Sequence, residues 1–126
     1  MENERSAVIS IGGKDYELVL TTRATKEIAK RYGGLENLGT KLMKTENFEM
    51  ALDEVVWLIT LLANQSILIH NLKNQDMREL LTEETVELLT SPLELAAYKD
   101  AIMEAMFKGT KRNVESEDDL KNTPAE

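Results

Sequence analysis

The hydrophobic and polar positions divide the chain into a short β-hairpin followed by a series of amphipathic helices. Residues 7–11 and 16–20 each have an apolar or aromatic side chain at every second position, and the intervening residues begin with Gly12 and Gly13. Glycine tolerates the positive φ of a tight hairpin turn, so the pattern predicts two antiparallel strands. A two-stranded hairpin alone is marginally stable in water, and we expect it to pack on helices or to pair with another chain.

Apolar residues at helical spacing predict four to five helices after the hairpin. In chain order the predicted helices cover about residues 22–32, 35–43, 46–62 or 46–71, a span that starts after Thr82, and 92–108. Glycines 33 and 34 are expected to end the first helix. Residues 91–94, Ser-Pro-Leu-Glu, combine a capping serine, proline at the first helical position and glutamate at the third. They are the strongest local signal in the sequence.

These elements predict an α+β, mainly α fold, in which an N-terminal β-hairpin precedes a bundle of about four to five helices. A single domain is expected over residues 1–112, and residues 113–126 are expected to form a disordered acidic tail because they hold few apolar side chains. Residues 55–72 carry no Asp, Glu, Lys or Arg. Six polar side chains, including His70, lie among them, which favours a buried core helix over a membrane span.

The composition excludes several kinds of site. The chain has no cysteine and one histidine, so it holds no disulfide, no thiolate-bound metal and no multi-histidine site within one copy. Neither Gly-Gly pair has the further glycines of a phosphate-binding loop. Ser66 and His70 lie one helical turn apart, but no acidic residue stands near them in sequence. We expect no catalytic residue, no cofactor and no metal, and hence no enzymatic activity.

Charge is distributed unevenly along the chain. The 15 Lys and Arg against 23 Asp and Glu give a formal net charge of −8, which argues against nucleic-acid binding as the main task. Residues 1–45 hold eight basic and six acidic side chains, net +2, and residues 46–126 hold seven and seventeen, net −10. Solvated helix surfaces and an acidic tail explain most of this asymmetry. The alternative is attraction between opposite ends of two copies in a homo-oligomer.

The six methionines are the one compositional feature with a functional interpretation. Flexible thioethers either fill gaps in a core or form surfaces that accept varied apolar partners. Residues at the end of the last helix would form an apolar interaction patch if they faced outward. Together with the basic side chains of the first helix, the candidate partner-binding residues are Met103, Met106, Phe107, Arg23, Lys26 and Lys30.

Several segments suggest a family. A hairpin leads into residues 20–35, which close on Tyr32-Gly33-Gly34-Leu35, and this order resembles the small tail assembly chaperones of long-tailed bacteriophages and related prophage elements. In that family the hairpin leads into a helix that ends in a Tyr/Phe/Leu-Gly-Gly-like step. Residues 55–59, Val-Val-Trp-Leu-Ile, and 91–95, Ser-Pro-Leu-Glu-Leu, are similar to that family too. The resemblance extends over most of residues 7–108.

The resemblance implies a non-enzymatic protein that binds the long, helical, apolar tape-measure protein, keeps it soluble and helps recruit tail-tube subunits. It also implies a homo-oligomer located in the cytoplasm of the bacterial host and absent from the mature virion. Many family members are made in two lengths by a ribosomal frameshift. Neither a nucleic acid nor a membrane is expected as a partner.

Two alternatives to the chaperone interpretation stay open. One is a structural phage component such as a head–tail connector. The other is a small regulatory or DNA-associated protein that uses the basic helix of Arg23, Lys26, Lys30 and Arg31.

Overall fold

The structure, a computed structural model, describes residues 6–34 and 48–122. Within these ranges a two-stranded antiparallel hairpin is followed by four helices, which confirms the mainly helical α+β fold. The helix expected at residues 35–43 lies outside the described residues. The elements are β1 (Ser6–Ile11), β2 (Lys14–Val19), α1 (Thr22–Tyr32), α2 (Phe48–Lys73), α3 (Glu83–Leu89) and α4 (Pro92–Asn122).

The hairpin turns on the two glycines alone, so the second strand begins at Lys14, two residues before the expected start at residue 16, and ends at Val19. Gly12 and Gly13 have φ of 60° and 82°, the positive values required at both central positions of a type I′ turn. A Cβ added at Gly12 would also lie 2.8 Å from Leu89 Cδ1, so the turn packs closely against α3. Directly paired residues share a face, and the pair Ala7 and Leu18 points into the core. The hairpin is therefore covered by helices on one face.

Helix α1 has the boundaries that its local signals predict. The Thr21 hydroxyl accepts a hydrogen bond from the Ala24 N–H at 3.0 Å, and Gly33 closes the helix in the left-handed conformation with φ of 88°. The Gly33 N–H donates to the Ala29 carbonyl at 2.8 Å, which satisfies one of the last unpaired carbonyls of the helix. Both ends of α1 are thus determined by contacts within four residues.

Helix α2 is the centre of the core and contacts the hairpin, α1, α3 and α4. It runs through residue 73, so the longer of the two predicted spans is the better one. It is apolar on more than one face because it is surrounded by other elements. Its buried residues are Val55, Val56, Leu58, Ile59, Leu62, Ala63, Gln65 and Ile67.

The stretch Leu52–Lys73 of α2 is long and apolar enough to cross a membrane by length and composition alone. Core helices pass the same test, and 44% of the most apolar window is buried inside the fold. The burial of Leu58, Ile59 and Leu62 against other elements agrees with the interpretation of this segment as a core helix.

Helix α4 begins at the predicted capping box. The Glu94 carboxylate accepts from the Ser91 N–H at 2.8 Å, and the Glu94 N–H donates to the Ser91 hydroxyl at 3.2 Å. The helix is assigned to Asn122, past the end expected near Lys108. The expectation of a disordered acidic tail from residue 113 stays a prediction. Residues 123–126 lie outside the described part of the chain, and the domain boundary at residue 112 stays a prediction.

Candidate functional site

Two asparagines on α2 hold the segment that follows this helix. The Asn64 side chain donates to the Leu81 carbonyl at 2.8 Å and accepts from the Leu81 N–H at 2.7 Å. Seven residues later, Asn71 makes the same pair of bonds with Arg78, at 3.2 and 2.9 Å. A spacing of seven places both amides on one face of the helix. We call this pair the asparagine clamp. It holds residues 78–81 alongside α2, just after Met77.

An open groove of about 490 Å³ lies along the last turns of α2. Residues 65, 68, 69 and 72 of α2 recur at helical spacing and therefore share one face. Asn71 of α2, the start of α1 and the loop after α2 supply the remaining lining. The groove is lined by Thr21, Arg23, Gln65, Leu68, Ile69, Asn71, Leu72 and Met77.

The apolar side chains at the rim of the groove are exposed to solvent. Leu72 is 87% exposed and Met77 is 70% exposed, whereas Leu68 and Ile69 are half-buried. Exposure of large apolar side chains next to each other marks surfaces that bind other molecules. The methionine adds adaptability because its thioether chain adopts many shapes.

The polar side chains of the groove are occupied by internal hydrogen bonds, with one exception. The Thr21 hydroxyl donates to the Gln65 carbonyl oxygen, and the Gln65 amide donates to the Leu61 carbonyl at 3.1 Å. Asn71 belongs to the asparagine clamp. Arg23 is exposed and shows no hydrogen bond or ion pair with any other residue in ranges 6–34 and 48–122. The groove therefore offers apolar surface and one available cation.

The opposite end of α1 is closed by a cluster of charged and aromatic side chains, which we call the ion-aromatic cluster. Its members are Arg31, Tyr32, Glu54 and Trp57. The Arg31 Nε lies 3.1 Å from Glu54 Oε1, and the Tyr32 hydroxyl donates to the same carboxylate. The Arg31 guanidinium lies 4.4 Å from the centre of the Trp57 ring, and the Tyr32 ring meets that ring edge to face.

The cluster raises the pKa of Tyr32 above its ordinary value. Burial is the main cause, because the charged phenolate is disfavoured away from water, and the hydrogen bond to the Glu54 carboxylate adds to it. The neutral phenol is therefore the form that the fold prefers.

A second cavity, of about 340 Å³, lies on the other side of α2 and is more polar. Ser66 and His70, considered above as a nucleophile and base, both line it but bond elsewhere. The Ser66 hydroxyl donates to the Ala63 carbonyl at 3.1 Å, and His70 Nε2 lies 3.0 Å from the Asp76 carbonyl oxygen. The Asp76 carboxylate also lies 3.3 Å from His70 Nε2, so the sequence expectation of no acidic residue near this pair is wrong. Both side chains thus serve the end of α2. Across the described ranges, no three His, Asp or Glu side chains are grouped as metal ligands.

The structure separates the candidate partner-binding residues. Met106 is buried in the core at 6% exposure and Met103 is half-buried against it, so these two methionines fill the core rather than form an outward patch. The outward orientation considered for them is wrong, because α4 packs this face on the hairpin and α2. Phe107 is 63% exposed.

The basic candidates all lie on the exposed surface of α1, but only Arg23 lines the groove. Lys30 pairs with Glu27 at 3.4 Å in an exposed ion pair, which contributes little energy. Sequence reasoning did not identify Leu68, Leu72 and Met77 as site residues. The sequence shows them as apolar positions. Their exposure depends on where α1 stops covering α2, and only the packing of the two helices reveals that point.

Comparison of the chain with protein-family models, curated proteins and solved structures finds no match. The resemblance to tail assembly chaperones therefore remains a prediction from the residues.

Proposed function

We propose that the chain is a tail assembly chaperone of a long-tailed bacteriophage or prophage. In this role it binds the tape-measure protein, keeps it soluble and helps recruit tail-tube subunits. It acts without catalysis or cofactor, as a homo-oligomer in the bacterial cytoplasm, and it is absent from the mature virion. The support from the sequence is the hairpin followed by a helix that ends at Tyr32-Gly33-Gly34.

The observation that carries this proposal furthest is the groove on α2. A chaperone of a long apolar helix needs an uncovered apolar surface on a stable scaffold. Leu68, Ile69, Leu72 and Met77 provide such a surface, and the asparagine clamp supports the loop that holds Met77. Helix-in-groove binding is a common way to recognise apolar helices.

Co-expression with the tape-measure protein of the same genome tests the proposal. We expect the tape-measure protein to move from the insoluble to the soluble fraction and to co-purify with this chain. Unchanged aggregation at matched expression levels would contradict the proposal. Stoichiometric amounts of this chain in purified phage particles would favour a structural component such as a head–tail connector.

A further inference from the structure

The groove on α2 combines an apolar floor with a single available cation at its edge. From this combination we infer that the groove binds an amphipathic helix of the partner protein, and that Arg23 selects a helix with a carboxylate beside its apolar face. The inference rests on the proposed function and specifies the chemistry of the partner. It also assigns the groove as the place where the partner binds.

The shape of the groove suits a helix. Its floor is one face of α2, with residues 68, 69 and 72 at the spacing by which two packed helices interdigitate. Burial of Leu72 and Met77 under a partner would remove from water apolar surface that is now exposed, which favours binding. A partner helix would fill the groove with side chains at i, i+3 or i+4, and i+7.

The charge of the groove indicates which helix fits. Thr21, Gln65 and Asn71 already bond within the fold, so they offer few free groups to a partner. The Arg23 guanidinium keeps its donors available to a carboxylate, with which it can form two parallel hydrogen bonds. A basic residue at the same place on the partner would be repelled. Arg23 therefore discriminates between helices of similar hydrophobicity.

The acidic tail of a second copy is a poorer occupant than a separate amphipathic helix. After residue 112 the chain has one Val and one Leu among its acidic side chains. The tail thus supplies carboxylates but lacks an apolar face to cover the exposed leucine and methionine. The partner must supply both features in one helix.

Fluorescence anisotropy with labelled peptides tests the inference on the full chain. The probes are three amphipathic 20-residue helices of one design, with a leucine stripe and either Glu, Gln or Lys at one position that flanks it. We expect the Glu peptide to bind at least about fivefold more tightly than the Lys peptide, with the Gln peptide between them.

Variants of the chain locate the contact. We expect Arg23→Glu to weaken binding of the Glu peptide about tenfold and to strengthen binding of the Lys peptide, because the preferred charge is reversed. Leu72→Ser combined with Met77→Ser should weaken binding of every peptide about tenfold or more. All three side chains are exposed, so the fold should be retained, which circular dichroism checks.

Two matched controls use exposed residues outside the groove. Lys14→Glu makes the same charge change at an exposed position of β2, and Leu93→Ser makes the same apolar-to-polar change at an 81% exposed position of α4. Neither should alter affinity more than about twofold at physiological salt, where exposed charges are screened.

Three results would overturn the inference. They are no binding of the Glu peptide at about 1 mM, equal affinity for the Glu and Lys peptides, and an effect of Lys14→Glu as large as that of Arg23→Glu. The co-expression experiment tests the chaperone function separately. Solubilisation of the tape-measure protein by the Leu72→Ser, Met77→Ser chain as well as by the unchanged chain would retain the function and reject this groove as its site.

Discussion

Both ends of helix α1 pack on α2, but they cover the surface of α2 to different extents. At the C-terminal end, the ion-aromatic cluster joins the two helices through a carboxylate, a guanidinium and two rings. At the N-terminal end, the Thr21 hydroxyl meets Gln65, and α2 continues beyond this contact to Lys73 with apolar side chains uncovered. One end is closed and the other is open.

The difference follows from the lengths of the two helices. Helix α1 has 11 residues and α2 has 26, so at 1.5 Å per residue α1 covers less than half of its partner. The ion-aromatic cluster pairs the end of α1 with the first turns of α2, which leaves the last turns to the loop after α2. The groove is the part of the core helix that the short helix does not reach. A covered end and an uncovered apolar end therefore coexist on one helix.

The largest expected effect comes from one substitution made at a buried and at an exposed position of α2. Leu58→Ala removes a fully buried side chain and should lower the free energy of unfolding by about 3 kcal/mol. Leu72→Ala, at the groove, should change it by less than about 0.5 kcal/mol. Urea denaturation followed by circular dichroism measures both. A similar loss at the two positions would show that the groove is part of the core.

The asparagine clamp should give the next largest effect. Asn64→Ala leaves the Leu81 N–H and carbonyl without their partner and should cost about 2 kcal/mol. Asn71→Ala should cost less, about 1 kcal/mol, because water can replace its more exposed bonds. Urea midpoints measure the cost. Weaker peptide binding by Asn71→Ala would show that the asparagine clamp positions the groove. Unchanged stability in both variants would contradict the role of the clamp in holding residues 78–81 on α2.

The closed end should be sensitive to the charge of Glu54. Glu54→Gln keeps the volume and an acceptor for Tyr32 but removes the ion pair with Arg31, and we expect a loss of about 1.5 kcal/mol. Trp57 is the one tryptophan of the chain, so its emission reports the change directly. Glu27→Gln is the matched control, because it breaks only the exposed pair with Lys30 and should cost less than about 0.5 kcal/mol.

The smallest expected effect is a pH dependence at the closed end. The raised pKa of Tyr32 means that its contribution to stability is complete below its ordinary value of 10.0 and is lost as the pH rises above that value. Between pH 9 and 11 the free energy of unfolding of the unchanged chain should fall by about 1 kcal/mol more than that of Tyr32→Phe. Urea midpoints at each pH measure the difference. Tyr98→Phe is the control. The pKa of Tyr98 is also raised, by burial and by Glu94, but a smaller change is expected because that ring is more exposed.

The candidate site shows how far sequence reasoning reached. Arg23 was among the predicted partner-binding residues because exposed cations on a helix are visible in sequence. The apolar residues beside it were not, because their exposure depends on where α1 ends on α2, a contact between residues 44 positions apart. Met106 was assigned to the surface as one alternative, and the packing of α4 on the hairpin buried it.

The sequence by itself determined the hairpin turn, the caps of α1 and the start of α4. Their hydrogen bonds join residues at most four positions apart, and their positive φ values fall on glycines. Only the tertiary structure decided which part of α2 is covered, which described methionines are buried and which cation borders the groove. These features join residues far apart in the chain, such as Arg31 with Glu54 and Asn64 with Leu81. Local chemistry sets the elements, whereas helix lengths and packing decide which apolar surface remains for a partner.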